Sequence, residues 1–213
     1  MIPALDALQR LRAGNRRFIE QAEGNSPILV TGRFCLENLA EKQNPCAIVL
    51  GCSDSRVPAE IVFQQGLGEL FVIRVAGNIT APSQIGSIEY AAEHFGTRLV
   101  VVLGHSHCGA VQATLDQLGQ PQELRSRNLR SIVDRIRPGV ETLMETDLAN
   151  DPEQLMRYAV RANIRASTHL LRQGSEILED LIRNDGLLIM GAEYSLATGE
   201  VEFFEQPTTA AAS

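Results

Sequence analysis

Five reactive side chains fall in two short segments of this chain. The segment GCSDSR holds Cys52, Asp54 and Arg56, and the segment GHSHCG holds His105 and Cys108. Two thiolates with one imidazole favour Zn²⁺ over hard cations such as Mg²⁺. Three protein ligands leave a fourth position for water, and this open position distinguishes a catalytic zinc site from a structural one. The residue types therefore predict a catalytic zinc site with Cys52, His105 and Cys108 as ligands.

The other two cysteines do not complete that site. Cys46 precedes Cys52 by six residues, which is about 20 Å along an extended strand. We therefore predict that Cys46 is a thiol of the protein core, and that Cys35 is another. A chain of this length forms a core without disulfides, so free thiols or metal ligands are expected.

Asp54 and Arg56 are the predicted catalytic pair. An ionised carboxylate only accepts hydrogen bonds, so Asp54 could accept one from a zinc-bound hydroxide and orient it. The five donors and permanent charge of a guanidinium suit Arg56 to hold that carboxylate ionised. In a closed form of the site, Asp54 would itself take the fourth zinc position. The simpler alternative is an ion pair that only stabilises a turn.

Short apolar segments place these residues at strand ends. Four of them predict buried strands, Ala47 to Gly51, Leu70 to Val75, Leu99 to Gly104 and Leu187 to Gly191, and Val201 to Phe204 predicts an antiparallel edge strand. Helical patterns cover Pro3 to the stop at Gly24-Asn25, Ser83 to Phe95, Ala110 to Leu118, Arg127 to Glu145, Pro152 to Arg172 and Glu176 to Asn184, and Pro58 predicts a helix from Ala59. Both reactive segments follow strands, and ligands of parallel sheets bind beyond the carboxyl ends of strands.

The length and these patterns predict an α/β fold in a single domain over residues 1–213. A sheet covered by helices on both faces needs about 150 to 250 residues, and the chain has 213. We expect a mainly parallel sheet of four strands with an antiparallel edge strand. Residues 1–24 form an N-terminal helical arm, and the tail over 206–213 has nothing to bury, which predicts disorder or contact with a partner.

The composition argues against several classes of function. A net charge of −7 does not suit a nucleic-acid partner, which needs clustered Lys and Arg. No apolar run is long enough to cross a bilayer, so a membrane protein is not expected. The N-terminal segment lacks the apolar core and small-residue cleavage site of a secretory signal. These features predict a cytoplasmic protein acting on a small substrate.

The segments GCSDSRVPAE and GHSHCG resemble the two signature segments of β-class carbonic anhydrases. The likeness continues through GELFVIRVAGN, IEYA and GAEYSLATGEV, in that order, over most of the chain. It is closest to the branch without a non-catalytic bicarbonate pocket, because Val49 stands where the other branch has Trp. The resemblance implies a zinc-dependent lyase that reversibly hydrates carbon dioxide to bicarbonate, with the ligands and the catalytic pair named above.

The same resemblance implies further substrate-binding residues and a second copy of the chain. Gln43, Phe71 and Tyr90 match residues around the substrate, with Gln43 donating a hydrogen bond across a dimer interface. Gly109 ends the second signature segment and is a further candidate. A homodimer or dimer-based tetramer follows, in which the N-terminal arm grips the partner. The arm could instead cover its own sheet.

Two other functions remain open from the sequence. An enzyme on the same scaffold could hydrolyse carbonyl sulfide or carbon disulfide, because hydroxide on zinc attacks any linear electrophilic carbon that fits. A non-catalytic zinc protein or bicarbonate-responsive protein would not need Asp54, which a variant at that position would reveal. A dinucleotide-binding domain is disfavoured because no strand is followed by G-x-G-x-x-G.

Overall fold

The computed structural model describes residues 2–24, 36–119 and 126–204. The strands of this part of the chain are β1 (Ala47–Gly51), β2 (Leu70–Arg74), β3 (Leu99–His105), β4 (Leu188–Tyr194) and β5 (Val201–Phe203). Its α-helices are α1 (Ala4–Glu23), α2 (Leu36–Glu41), α3 (Ala59–Val62), α4 (Pro82–His94), α5 (Gly109–Gly119), α6 (Arg127–Val140), α7 (Pro152–Gln173) and α8 (Glu176–Asn184). The predicted tail over 206–213 and Cys35 lie outside the described residues.

One sheet joins the five strands in the order β2-β1-β3-β4-β5. The first four strands are parallel, and β5 pairs antiparallel with β4. Every residue of β1 and β3 is buried, as expected for central strands of a parallel sheet with both faces covered. The predicted α/β class, the four parallel strands and the antiparallel edge strand are confirmed.

Helices cover both faces of the sheet. Alternate residues of β1 enter two separate cores, Ile48 and Leu50 on one side and Val49 on the other. Residues of α4, α5, α6, α7 and α8 pack on the first side, and residues of α1 and α3 pack on the second. Within the described residues, no helix combines the length and apolar character needed to cross a membrane.

The N-terminal helix covers its own sheet. Its apolar side chains Leu8, Leu11 and Phe18 are buried in the core that also contains Val49 and Val101. Within one chain, α1 therefore covers its own sheet, the second of the two roles considered for the arm, while Leu5 of the same helix remains exposed.

Gly14 of α1 lies against the backbone of Phe63, the residue that follows α3, and this contact predicts a large effect on stability. A Cβ at Gly14 would lie 1.7 Å from the backbone oxygen of Phe63, so Gly14→Ala must separate the two helices. We expect its free energy of unfolding to fall by about 2 kcal/mol or more, measured by urea denaturation. Gly86→Ala in α4 is the control, since nothing lies within 4 Å of that Cβ. Equal stability of the two variants would contradict the prediction.

The structure corrects a few element boundaries. The helix predicted over Arg127 to Glu145 ends at Val140 and continues as a 3-10 turn over Glu141–Glu145. Pro138 and a following glycine lie in its last turn, and both residue types weaken an α-helix. Strand β4 runs to Tyr194 rather than ending at residue 191, because its pairing with β3 extends to His105 opposite Tyr194. Helix α2 was not predicted.

Candidate metal centre

The parallel pairing of β1 and β3 brings the two reactive segments together. Gly51 pairs with Leu103, so Cys52 directly follows β1 at the same edge of the sheet where β3 ends in His105. The turn after β3 then returns Cys108 to this edge, at the start of α5. The side chains of all three residues are buried.

The three predicted ligands form a triangle. Their ligand atoms all lie within 4.8 Å of one another, and the Sγ atoms of Cys52 and Cys108 are 4.0 Å apart. Tetrahedral zinc with Zn–S bonds of about 2.3 Å holds two sulfurs about 3.8 Å apart. The observed separation therefore fits a zinc ion.

His105 presents an unpartnered nitrogen to this triangle. Its Nδ1 donates to the carbonyl oxygen of Ser106 at 3.0 Å, which leaves Nε2 as the atom with a free lone pair. Nε2 is buried and has no hydrogen-bond partner among the described residues. An unsatisfied buried polar atom is costly, and a lone pair left free in this way suits a metal ligand.

Backbone amides support both thiolates. The N–H groups of Asp54 and Gly77 each donate to Cys52 Sγ at 3.4 Å. Cys108 directly precedes the first residue of α5, at the helix end that favours negative charge. Two negatively charged sulfurs can therefore be held side by side around a cation.

A hydrogen bond between the two thiols shifts their pKa values in opposite directions. The hydrogen bond from Cys108 lowers the pKa of Cys52, and the same bond together with burial raises the pKa of Cys108. One thiolate thus forms readily while the second needs a nearby positive charge. A divalent cation supplies that charge, so the donor set fits a metal.

Asp54 and Arg56 form a two-pronged ion pair beside the ligands. Arg56 donates from Nε to Oδ1 at 2.9 Å and from Nη2 to Oδ2 at 2.7 Å, and these bonds hold the pKa of Asp54 well below its usual range. Asp54 Oδ2 lies 3.9 Å from His105 Nε2, so the carboxylate borders the triangle. The closed form, with Asp54 as a metal ligand, would have to break its bonds to Arg56.

Arg74 supports the same turn and was not predicted as a site residue. It donates from Nε to the oxygen of Cys52 at 3.1 Å and from Nη2 to the oxygen of Asp54 at 2.6 Å. The pairing of Gly51 with Arg74 at the end of β2 brings the guanidinium there. The spacing in the sequence gives no signal for this contact.

Phe71 and Tyr90 do not lie at the metal ligands of their own chain. Phe71 pairs with Ile48, four residues before Cys52, which is about 13 Å along the strand. The ring of Phe71 lies 6.3 Å from that of Tyr90, and Tyr90 is 51% exposed. These aromatic residues form a group on the open side of β2 instead.

Gln43 and Gly109, the two other predicted substrate-binding residues, lie at opposite edges of the sheet. Gln43 is exposed and precedes β1, at the end of the strand opposite the metal ligands. Gly109 is the first residue of α5 and follows Cys108 directly, and a Cβ there would meet nothing within 4 Å. Gly109 therefore borders open space beside a ligand, whereas Gln43 does not.

Cys46, the remaining described cysteine, lies in the protein core. Cys46 is 6% exposed, and burial raises the pKa of its thiol. It is free, as are Cys52 and Cys108. The prediction of Cys46 as a core thiol is confirmed.

Comparison with known proteins identifies the family that this site belongs to. A family model described as carbonic anhydrase matches residues 47–201, which include all three predicted ligands and the Asp54–Arg56 pair. The chain belongs to the carbonic anhydrase family. It is 36% identical to the carbonic anhydrase of Mycolicibacterium smegmatis over 196 residues, 92% of this chain and 91% of that protein. It is 35% identical to carbonic anhydrase 2 of Mycobacterium tuberculosis over 193 residues, 91% and 89% of the two chains.

Solved structures place this carbonic anhydrase in the β class. The β-carbonic anhydrase CcaA superimposes with a TM-score of 0.70 and 28% identity, over 93% of this chain and 95% of that one. A tetrameric β-carbonic anhydrase of Sordaria macrospora shares the fold with a TM-score of 0.72 and 22% identity, over 91% and 94% of the chains. The predicted family is confirmed, and the protein is an enzyme of the lyase class, a carbonate dehydratase.

Proposed function

We propose that this carbonic anhydrase reversibly hydrates carbon dioxide to bicarbonate and a proton, with Zn²⁺ held by Cys52, His105 and Cys108. One observation carries the proposal. A buried triangle of two sulfurs and one unpartnered nitrogen lies directly beside a carboxylate that a guanidinium already holds. The ligands supply the place for the metal, and the pair supplies a fixed acceptor next to it.

The metal and the protein side chains have separate tasks. Zinc, when bound, supplies the Lewis acidity that makes hydroxide available from water near neutral pH. Asp54 is ionised and accepts a hydrogen bond from the nucleophile, which directs the nucleophile's lone pair at the carbon of the substrate. Arg56 fixes both carboxylate oxygens, so the acceptor does not reorient during the reaction. Burial of the ligands strengthens these electrostatic contacts.

A metal analysis combined with a hydration assay tests this function. The purified protein is expected to contain about one zinc per chain and to hydrate carbon dioxide in a stopped-flow pH-indicator assay. A chelator should abolish turnover, and added zinc should restore it. Full zinc content without hydration would contradict the proposal. Turnover of carbonyl sulfide or carbon disulfide in the same assay would then identify the alternative enzyme.

We also propose that the active protein is a homodimer, or a tetramer built from dimers, in which Gln43, Phe71 and Tyr90 contact substrate at the partner's metal. Their distance from the ligands of their own chain supports this arrangement. The open edge strand β2 and the neighbouring exposed side chains, Tyr90 at 51% and Leu67 at 59%, provide a surface for a second copy.

Mixed dimers give a sharp test of this arrangement. Gln43→Ala alone should lower kcat/KM on the order of 10-fold, because a hydrogen bond to the substrate is lost, and Cys52→Ser should be inactive. A hybrid of the two variants would have one complete site if Gln43 acts across the interface, so mixing followed by subunit exchange should recover activity. No recovery in verified hybrids would show that Gln43 does not act on the partner's site.

A cytoplasmic location is also proposed. Two thiolate ligands must stay reduced to bind the metal, and the cytosol maintains that state. Cell fractionation with an antibody to the protein would test it, and recovery outside the cytosol would contradict it.

A further inference from the structure

Two adjacent buried residues of helix α7 contact backbone segments next to the candidate metal centre. Asn163 is 2% exposed and Ile164 is fully buried. Asn163 donates from Nδ2 to the backbone oxygen of Gly77 at 2.8 Å, across 86 residues of sequence. This bond links α7 to the turn that follows β2.

Gly77, which accepts the hydrogen bond from Asn163, also contacts the Cys52 thiolate. Gly77 has a φ of 70° and donates its N–H to Cys52 Sγ at 3.4 Å. A Cβ on Gly77 would lie 2.8 Å from Ile136 Cδ1 and 3.1 Å from Ala110 Cβ, so the turn is confined on that side as well. Only two torsions separate the carbonyl and the N–H of one residue. Fixing the carbonyl therefore restricts the direction of the N–H.

The next residue of α7 supports a second ligand. A Cβ on Gly104 would lie 2.5 Å from Ile164 Cδ1, so Ile164 packs directly onto the strand end that carries His105. Adjacent residues of one helix thus contact the backbone on either side of the metal centre. The position of α7 is expected to influence the spacing of the ligand atoms.

We propose that Asn163 is a positioning residue for the metal centre, which keeps the Gly77 N–H on the Cys52 thiolate. This inference rests on the metal site of the proposed function but not on the reaction catalysed there. Outer hydrogen-bond partners of metal ligands orient the ligands, and their loss weakens metal binding. Asn163 acts one step further out, through the backbone of Gly77.

Thr168 provides a matched control on the same helix. It is 4% exposed, and its hydroxyl donates to the oxygen of Ile164 within α7. Asn163→Leu and Thr168→Val each remove one buried side-chain hydrogen bond from α7 and keep the number and branching of the side-chain heavy atoms. A purely structural role for Asn163 predicts that both variants lose stability and that both bind metal as the wild type does.

Metal affinity and a cobalt spectrum measured on the full chain distinguish the two roles. Zinc dissociation constants come from competition with a chromophoric chelator, and the thiolate-to-metal charge-transfer band is recorded with Co²⁺. We expect Asn163→Leu to bind zinc about 10-fold more weakly, the lower end of the range for direct partners of ligands, and to shift the cobalt band, whereas Thr168→Val matches the wild type. Equal zinc affinities and spectra in the two variants would overturn the proposal.

Two further measurements keep the test decisive. If Asn163→Leu does not fold, Asn163→Ala removes the same donor with less steric demand and is expected to give the same loss of affinity. A wild-type protein that binds zinc but does not hydrate carbon dioxide would refute the proposed function. The comparison of zinc affinities would still decide the role of Asn163.

Discussion

Replacing His105 with alanine is expected to remove the metal and reduce carbon dioxide hydration to the uncatalysed rate. His105 is fully buried, and its Nε2 has no other partner among the described residues. Losing an outer-shell partner of a metal ligand already costs about 10- to 100-fold in affinity, so losing the ligand itself should cost more than about 100-fold. Zinc content by mass spectrometry and stopped-flow hydration would measure both effects.

The neighbouring histidine provides the control for this experiment. His107 belongs to the same segment but is exposed, and it has a φ of 54°, a conformation that asparagine tolerates well. His107→Asn should therefore keep its zinc. Circular dichroism of both variants separates loss of metal from loss of fold. A His105→Ala variant that retains one zinc per chain would remove His105 from the ligand set.

The convergence of Cys52, His105 and Cys108 could be predicted from the sequence because its signal is local. Cys52 directly follows a short run of apolar residues, and His105 ends another such run. Parallel pairing of the two strands is then sufficient to bring these residues to one edge of the sheet. The same reasoning predicted the strands themselves, since buried parallel strands are continuous apolar runs.

The supporting residues could not be predicted because their contacts depend on packing between distant segments. Arg74 contacts the Cys52 turn across 22 residues, Gly77 reaches the thiolate across 25, and Asn163 reaches Gly77 across 86. Each contact depends on strand register or on the position of a helix. The spacing of residue types in the sequence does not specify either of these. The resemblance named Phe71 as a substrate-binding residue, but only the register with β1 shows how far it lies from its own ligands.

Replacing Asp54 with asparagine is expected to slow hydration on the order of 100-fold or more while zinc remains bound. Asparagine has nearly the same shape, but its amide can donate where the carboxylate only accepts, so the nucleophile would be misdirected. The three ligands are untouched, and this separates the variant from His105→Ala. Glu60→Gln, a change at an exposed carboxylate of α3, is the control and should retain the wild-type rate and zinc content.

Arg56→Leu shows what the guanidinium contributes to the same step. Arg56 lowers the pKa of Asp54, so the carboxylate stays ionised as the pH falls, and without Arg56 that pKa should rise toward the ordinary value of about 3.9. Asp54 would then still be ionised at pH 7. A loss of kcat in Arg56→Leu at neutral pH, with zinc bound, would therefore reflect lost orientation of the carboxylate rather than its protonation. If Asp54→Asn and Arg56→Leu both hydrate carbon dioxide at the wild-type rate, the pair only stabilises the turn and the nucleophile is oriented by other groups.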